Sequence, residues 1–232
     1  MDKQDLKKNK IQGICSILIY YYLYFAVPIS LAIFNFKYSE WSTNNKLLFN
    51  IGYDIFLIII IYLLNRKTIK KDFIDYKKNI KTYISKYIKY WFIALGLMVV
   101  SNMIVQTFTH NIAQNEQEVR QLFNSNPAFT FILSILLAPF LEECIYRLSI
   151  YKILYKHKKI FIIVSGLIFG GMHILGNVNN VFDILFIIPY GIPGAVFAYT
   201  LIKSNNIFVP TSLHVFNNTF ALIMQLIAMK IL

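Results

Sequence analysis

The stretch Phe131-Ile-Leu-Ser-Ile-Leu-Leu-Ala-Pro-Phe-Leu-Glu-Glu-Cys-Ile-Tyr-Arg147 is apolar enough to lie in a membrane, yet it carries two adjacent glutamates, Glu142 and Glu143. A carboxylate in hydrocarbon costs at least about 2.5–3.5 kcal/mol on insertion scales, so two side by side call for partners or a purpose. Neighbours on a helix project about 100° apart, so one site does not use both in the same way. Glu143 and Arg147 are four residues apart in the glutamate-first order that favours an ion pair. Pairing offsets the burial of both charges. Glu142 is then left unpaired and free for proton transfer, as a general base requires.

Outward from this stretch the chain keeps the same character. It is 57% hydrophobic and 15% charged, which excludes a soluble domain and predicts a polytopic membrane protein. Seven apolar runs fall at 11–36, 47–64, 91–108, 128–154, 160–176, 182–202 and 207–231. Only internally hydrogen-bonded segments cross lipid, and no alternating barrel pattern appears, so the fold class is an all-α transmembrane bundle of about seven spans. The N-terminal run has no signal cleavage pattern after it and reads as a retained span. Lys3, Lys7, Lys8 and Lys10 precede span one, nine basic residues from Arg66 to Lys89 follow span two, Lys156, Lys158 and Lys159 follow span four, and Lys203 ends span six. These are every second connection, which predicts a cytoplasmic N-terminus.

The net charge of +12 is therefore assigned to topology and to anionic lipid head groups, and not to nucleic acid. The segment 69–90 is amphipathic and basic and is expected to lie on the cytoplasmic leaflet. Asn115–Phe123 is expected to form a short helix over the bundle. Cys15 and Cys144 both fall in spans, so no disulfide framework is expected. Abundant Lys, Ile and Asn point to a bacterial source, hence to a bacterial cell membrane. We divide the chain into residues 1–127, holding the N-terminal spans and the basic loop, and a core at 128–232.

Two further apolar runs carry a histidine. His173 closes Phe169-Gly-Gly-Met-His173, a segment whose small residues let helices approach closely. His214 and Asn218 stand one turn apart on one face. That pair can donate two hydrogen bonds to a developing oxyanion, or can simply bind neighbouring helices. Asp54 is given no role, Asp183 is expected at a solvated span entrance, and His110 and His157 at membrane edges. Pro189 and Pro193 are expected to kink span six. His-Glu-x-x-His, Gly-x-Ser-Gly, Gly-x-Gly-Asp and phosphate-binding glycine loops are all missing from the sequence.

Glu142-Glu143-Cys-Ile-Tyr-Arg147, Phe169-Gly-Gly-Met-His173 and His214-Val-Phe-Asn-Asn218, in that order, resemble the CPBP (CAAX protease and bacteriocin-processing, or Abi) family of intramembrane endopeptidases. The matching core covers roughly 128–222. The resemblance implies that Glu142 acts with His173 as the base that activates water. His214 and Asn218 would stabilise the oxyanion, with Glu143, Arg147 and Phe169 in support. It also implies a conical or cleft-like bundle, open toward the inner leaflet, that lets water in. No metal is favoured, because Asn218 is a poor zinc ligand and a natural oxyanion donor. The alternative is zinc on Glu142, His173 and His214. The expected substrates are membrane-bound or hydrophobic peptides, in bacteriocin immunity, signalling-peptide maturation or envelope regulation. Two other classes stay open. A non-catalytic scaffold has no need of an unpaired Glu142, and a proton-coupled transporter would be expected to show an inverted repeat.

Overall fold

The computed structural model describes residues 3–34 and 37–231, and among them the chain is helical, without strands. The first expected span, 11–36, ends on two residues outside the described ones, as do residues 1, 2 and 232. Seven helices follow one another: α1 (Lys3–Ile33), α2 (Thr43–Thr109), α3 (Gln114–Ser125), α4 (Pro127–Ile153), α5 (Lys158–Ile174), α6 (Ile187–Ser204) and α7 (Phe208–Ile231). Four helical stretches, Gln4–Leu31, Thr43–Thr109, Pro127–Ile153 and Val181–Ser204, are long and apolar enough to cross a membrane.

The second of these carries two of the expected spans. Its φ of −118° and ψ of 17° at Asn79 interrupt 67 otherwise helical residues. Before that point Leu57, Ile61 and Ile69 pack with Tyr20, Leu141, Ile145 and Phe161. Beyond it Tyr87 and Trp91 pack with Phe197, Val209 and Leu213, and Val105 packs with Ala113 and Phe186. Because α6 runs from Ile187 to Ser204 beside the later residues in reverse order, the chain folds back at Asn79. The segment 69–90, expected to lie on the cytoplasmic leaflet, is a helical hairpin continuous with spans two and three. Tyr76 stacks on Tyr83 across the fold, with ring centroids 5.8 Å apart, and Asp75 accepts hydrogen bonds from Tyr83 and Asn79.

One end of the bundle is tied together by buried polar side chains. Lys152 Nζ donates to Asn65 Oδ1 at 2.6 Å and to Gln12 Oε1 at 3.2 Å, and Asn65 Nδ2 donates to Ser16 Oγ at 3.0 Å. Asn206 Nδ2 donates to the Asp72 carbonyl at 2.8 Å, while the Ile207 amide donates to Asp72 Oδ2 at 3.0 Å. These ties bring the N-terminal residues, the 69–90 hairpin, the end of α4 and the α6–α7 connection to one end, as the distribution of lysines requires. We call it the basic end. There Gly13 lets α1 cross α4 closely, since a Cβ would come 2.5 Å from the Ser149 carbonyl oxygen.

At the opposite end α3 lies over the bundle with Phe123 buried, as expected. Asp183 closes a capping box with Asn180 ahead of α6. Helix α5 has only 17 residues, about 25 Å, short of the roughly 30 Å of a hydrocarbon core. Its C-terminal end therefore stops below the opposite face, and residues 175–180 connect it to the capping box.

Candidate active site

Helix α4 is wound as a π-helix over Ile132–Leu137 and again over Glu143–Ser149. Pro139 has no N–H for the carbonyl four residues before it, which accounts for the first segment. The second begins at the glutamates, and there the i→i+5 winding is echoed by Ser149 Oγ, which donates to the Cys144 carbonyl at 2.8 Å. Its consequence is that Glu142 and Glu143 both reach His214. His214 Nδ1 lies 2.9 Å from Glu143 Oε1, and Nε2 lies 3.7 Å from Glu142 Oε2. A carboxylate only accepts, so Nδ1 carries a proton toward Glu143 and Nε2 is the nitrogen that faces Glu142.

The two glutamates sit in different surroundings. Glu143 is sealed, with its side chain 0% exposed, between His214 and Arg147, whose Nε is 3.2 Å from Oε2. Glu142 is 23% exposed and so remains open to water. The ion pair predicted from spacing is present, although its geometry falls outside that of a directed hydrogen bond. The Arg147 nitrogens have no hydrogen-bond partner among the described residues. The guanidinium lies instead 4.1 Å from the Phe169 ring centroid and 5.9 Å from that of Phe197. Phe169 thus supports the site by covering a buried cation with an aromatic face.

His173 Nδ1 meets the Phe169 carbonyl at 2.8 Å, which leaves Nε2 as its free acceptor. Its ring stacks on Tyr190, with centroids 4.6 Å apart, and lies within electrostatic reach of Glu142. Close contact of α5 with α6 makes this possible: a Cβ on Gly170 would come 2.4 Å from the Ile187 carbonyl oxygen. Asn218 shares the α7 face with His214, but its Nδ2 donates to the Ser134 carbonyl at 2.8 Å. One amide hydrogen is thereby committed to holding α7 on α4, and one is left.

In the zinc alternative His214 Nε2, which faces Glu142 Oε2 at 3.7 Å, would be a ligand oriented by Glu143 through Nδ1. No three His, Cys, Asp or Glu side chains stand at metal-ligand spacing among the described residues.

Other residues border the site without a motif to announce them. Tyr20 and Tyr146, with ring centroids 6.4 Å apart, and Asp54 all lie within electrostatic reach of Glu142. Asp54 was visible as a charge in a span, whereas Tyr190 belongs to no motif. Cys144 is fully buried packing, as expected, and His110 and His157 are exposed. A cavity of about 420 Å³ reaches His173 from the end of the bundle opposite the basic one, between α3 and residues 175–186. The cavity lies where short α5 stops at His173, and polar side chains line the space beyond it.

Residues 124–220 match the family described as "Type II CAAX prenyl endopeptidase Rce1-like". The chain is similar to "Putative membrane peptidase YdiL" of Bacillus subtilis (strain 168), 29% identical over 175 residues that cover 72% of this chain and 68% of that one. It is also similar to "UPF0177 protein YvdC" of Lactococcus lactis subsp. lactis (strain IL1403), 26% identical over 141 residues covering 58% and 52%. No solved structure matches.

Proposed function

We propose that this chain, a membrane peptidase with a core of the type II CAAX endopeptidase kind, hydrolyses its substrates with Glu142 as the general base and without a resident metal. The observation that carries the reading is the contrast in exposure between the adjacent glutamates, 23% against 0%. Of the two carboxylates, Glu142 alone has an exposed side chain.

In this mechanism Glu142 takes a proton from a water that His173 Nε2 helps to orient, and the oxygen of that water attacks the scissile carbonyl carbon. The carbonyl oxygen gains the negative charge and accepts hydrogen bonds from the remaining Asn218 amide hydrogen and from protonated His214 Nε2. Protonated Glu142 then gives its proton to the departing amine as the C–N bond breaks. Glu143 fixes the His214 tautomer through Nδ1, and Arg147 balances the charge of Glu143. Removing a general base of this kind costs about 10²–10⁴-fold in rate.

The substrates we propose are membrane-anchored or hydrophobic peptides of a bacterial cell, cleaved in bacteriocin immunity, signalling-peptide maturation or envelope regulation. The N-terminus and the basic end face the cytoplasm in this reading, with lysines of the 69–90 hairpin against anionic lipid. The test is cleavage of a peptide panel by the purified chain in liposomes, comparing wild type with Glu142→Gln, with and without a chelator. Activity lost in Glu142→Gln and kept with chelator supports the reading. Activity lost with chelator and restored by zinc overturns its metal-free part.

A further inference from the structure

The cavity that reaches His173 is built of polar, uncharged side chains with an acidic rim. Asn177, Gln117 and Gln121 line it, Glu118 and Asp183 add carboxylates, and its lining contains neither lysine nor arginine. In a chain of net charge +12 that is a local reversal of character. At about 420 Å³ it has the size of a ligand pocket, not of packing slack. Its walls are held by bonds that engage part of the lining, among them Gln114 Nε2, which donates to Glu118 Oε1 at 3.3 Å. Asn179 Nδ2 donates to Gln114 Oε1 at 2.9 Å, linking the α5–α6 connection to α3. Gln117 Nε2 donates to the Ile112 carbonyl at 2.9 Å, and Asp183 is occupied by the Asn179 and Asn180 amides. The side-chain amide of half-buried Asn177 has no hydrogen-bond partner among the described residues.

We propose that this vestibule binds an extended polar segment of the substrate flanking its membrane-embedded part, neutral or basic in character, and delivers the adjoining peptide bond past His173. Carboxamides offer both donors and acceptors, which suits main-chain N–H and C=O groups in an extended strand and is indifferent to side-chain sequence. The two rim carboxylates disfavour an acidic segment. Substrates therefore enter from the end opposite the basic connections, which is the outer face under the orientation proposed above. This inference rests on the protease reading.

The test uses the full chain in proteoliposomes, with Asn177→Cys and, at the exposed rim, Gln121→Cys. A bulky, membrane-impermeant maleimide is the thiol probe, and wild type serves as the control for Cys15 and Cys144. Leu/Ala-rich peptides carrying a Ser/Asn/Gly, a Lys or an Asp flank are the ligands. The expected result is that neutral- and Lys-flanked peptides slow modification of both variants about tenfold, roughly the effect of 1.4 kcal/mol of binding, while the Asp-flanked peptide does not. Modification at position 177 should in turn abolish cleavage of the flanked peptides. Unchanged labelling rates with every peptide, or cleavage that continues at the wild-type rate after modification, would overturn the vestibule and leave the protease reading standing. Protection by peptides that no variant and no wild-type protein cuts would support the vestibule and overturn the protease reading.

Discussion

The two ends of the bundle are rich in polar side chains and use them in opposite ways. At the basic end Asn65, Asn206 and Asp72 are 1%, 1% and 5% exposed, and each has its hydrogen bonds made. At the other end Asn177 and Gln121 line an open cavity and have no side-chain partners among the described residues. A buried polar group left unpaired costs about 1–3 kcal/mol, so the first set is there to hold helices together and loses value if disturbed. The second set remains available to a ligand. Hydrogen-bond satisfaction, more than residue type, separates the polar groups that build this molecule from those left to bind something. Inside the site it is exposure that separates the two glutamates, 0% for Glu143 against 23% for Glu142.

The sharpest way to break that contrast is at the glutamates. Glu142→Gln should lower the cleavage rate by about 10²–10⁴-fold while leaving thermal stability in detergent within about 0.5 kcal/mol of wild type. Comparable loss of stability and activity would make Glu142 a structural residue like its neighbour. Arg147→Ala should do the reverse. It leaves Glu143 charged and uncompensated in a sealed pocket, and should destabilise the chain by about 3–5 kcal/mol, read as a fall in melting temperature or in folded yield.

Much of this architecture was legible in the sequence, and for identifiable reasons. The apolar runs and the alternation of lysine-rich with lysine-poor connections follow from hydration of charge. Both survive as the helices and the two ends. The Glu143–Arg147 pair needed only helical spacing. The fold-back at Asn79 was not legible, because a single residue leaves the helical region and no proline or glycine marks it. Nor was the convergence of both glutamates on His214, since π winding has no residue signature beyond the hint of Pro139. The attachment of Asn218 to Ser134 is a tertiary contact across 84 residues, invisible to any local pattern. Asn177 and Asn179 lie in a short connection without a motif, and the shortness of α5 places that connection beside His173.

Between the extremes lie changes to packing and ties. Gly170→Ala places a methyl 2.4 Å from the Ile187 carbonyl oxygen and 2.9 Å from the Gly191 nitrogen. Neither neighbour is a flexible side chain, so α5 and α6 must separate. The expected cost is about 1–3 kcal/mol, with activity falling further than stability because His173 rides on the same helix one turn on. Wild-type activity in a destabilised Gly170→Ala protein would uncouple His173 from the reaction. At the basic end Asn65→Ala removes the acceptor of Lys152 at 2.6 Å and the donor to Ser16. It should destabilise by about 1–3 kcal/mol and leave the catalytic rate of the folded fraction unchanged.

The smallest expected effect on stability is the most informative for the comparison between ends. Asn177→Ala removes a side-chain amide that has no partner among the described residues, so unfolding should shift by no more than about 0.5 kcal/mol. If the cavity is a substrate site, the same change should raise KM for flanked peptides several-fold and leave kcat near wild type, because interactions lost equally from ground and transition states appear in KM alone. Peptides trimmed of the flank should show no difference between the two proteins. A variant as destabilised as Asn65→Ala would mean that Asn177 is bound in the folded chain, and the two ends would then differ in degree only. A variant with unchanged stability and unchanged KM would leave the amide without a ligand, and the contrast would reduce to Glu142 and Glu143.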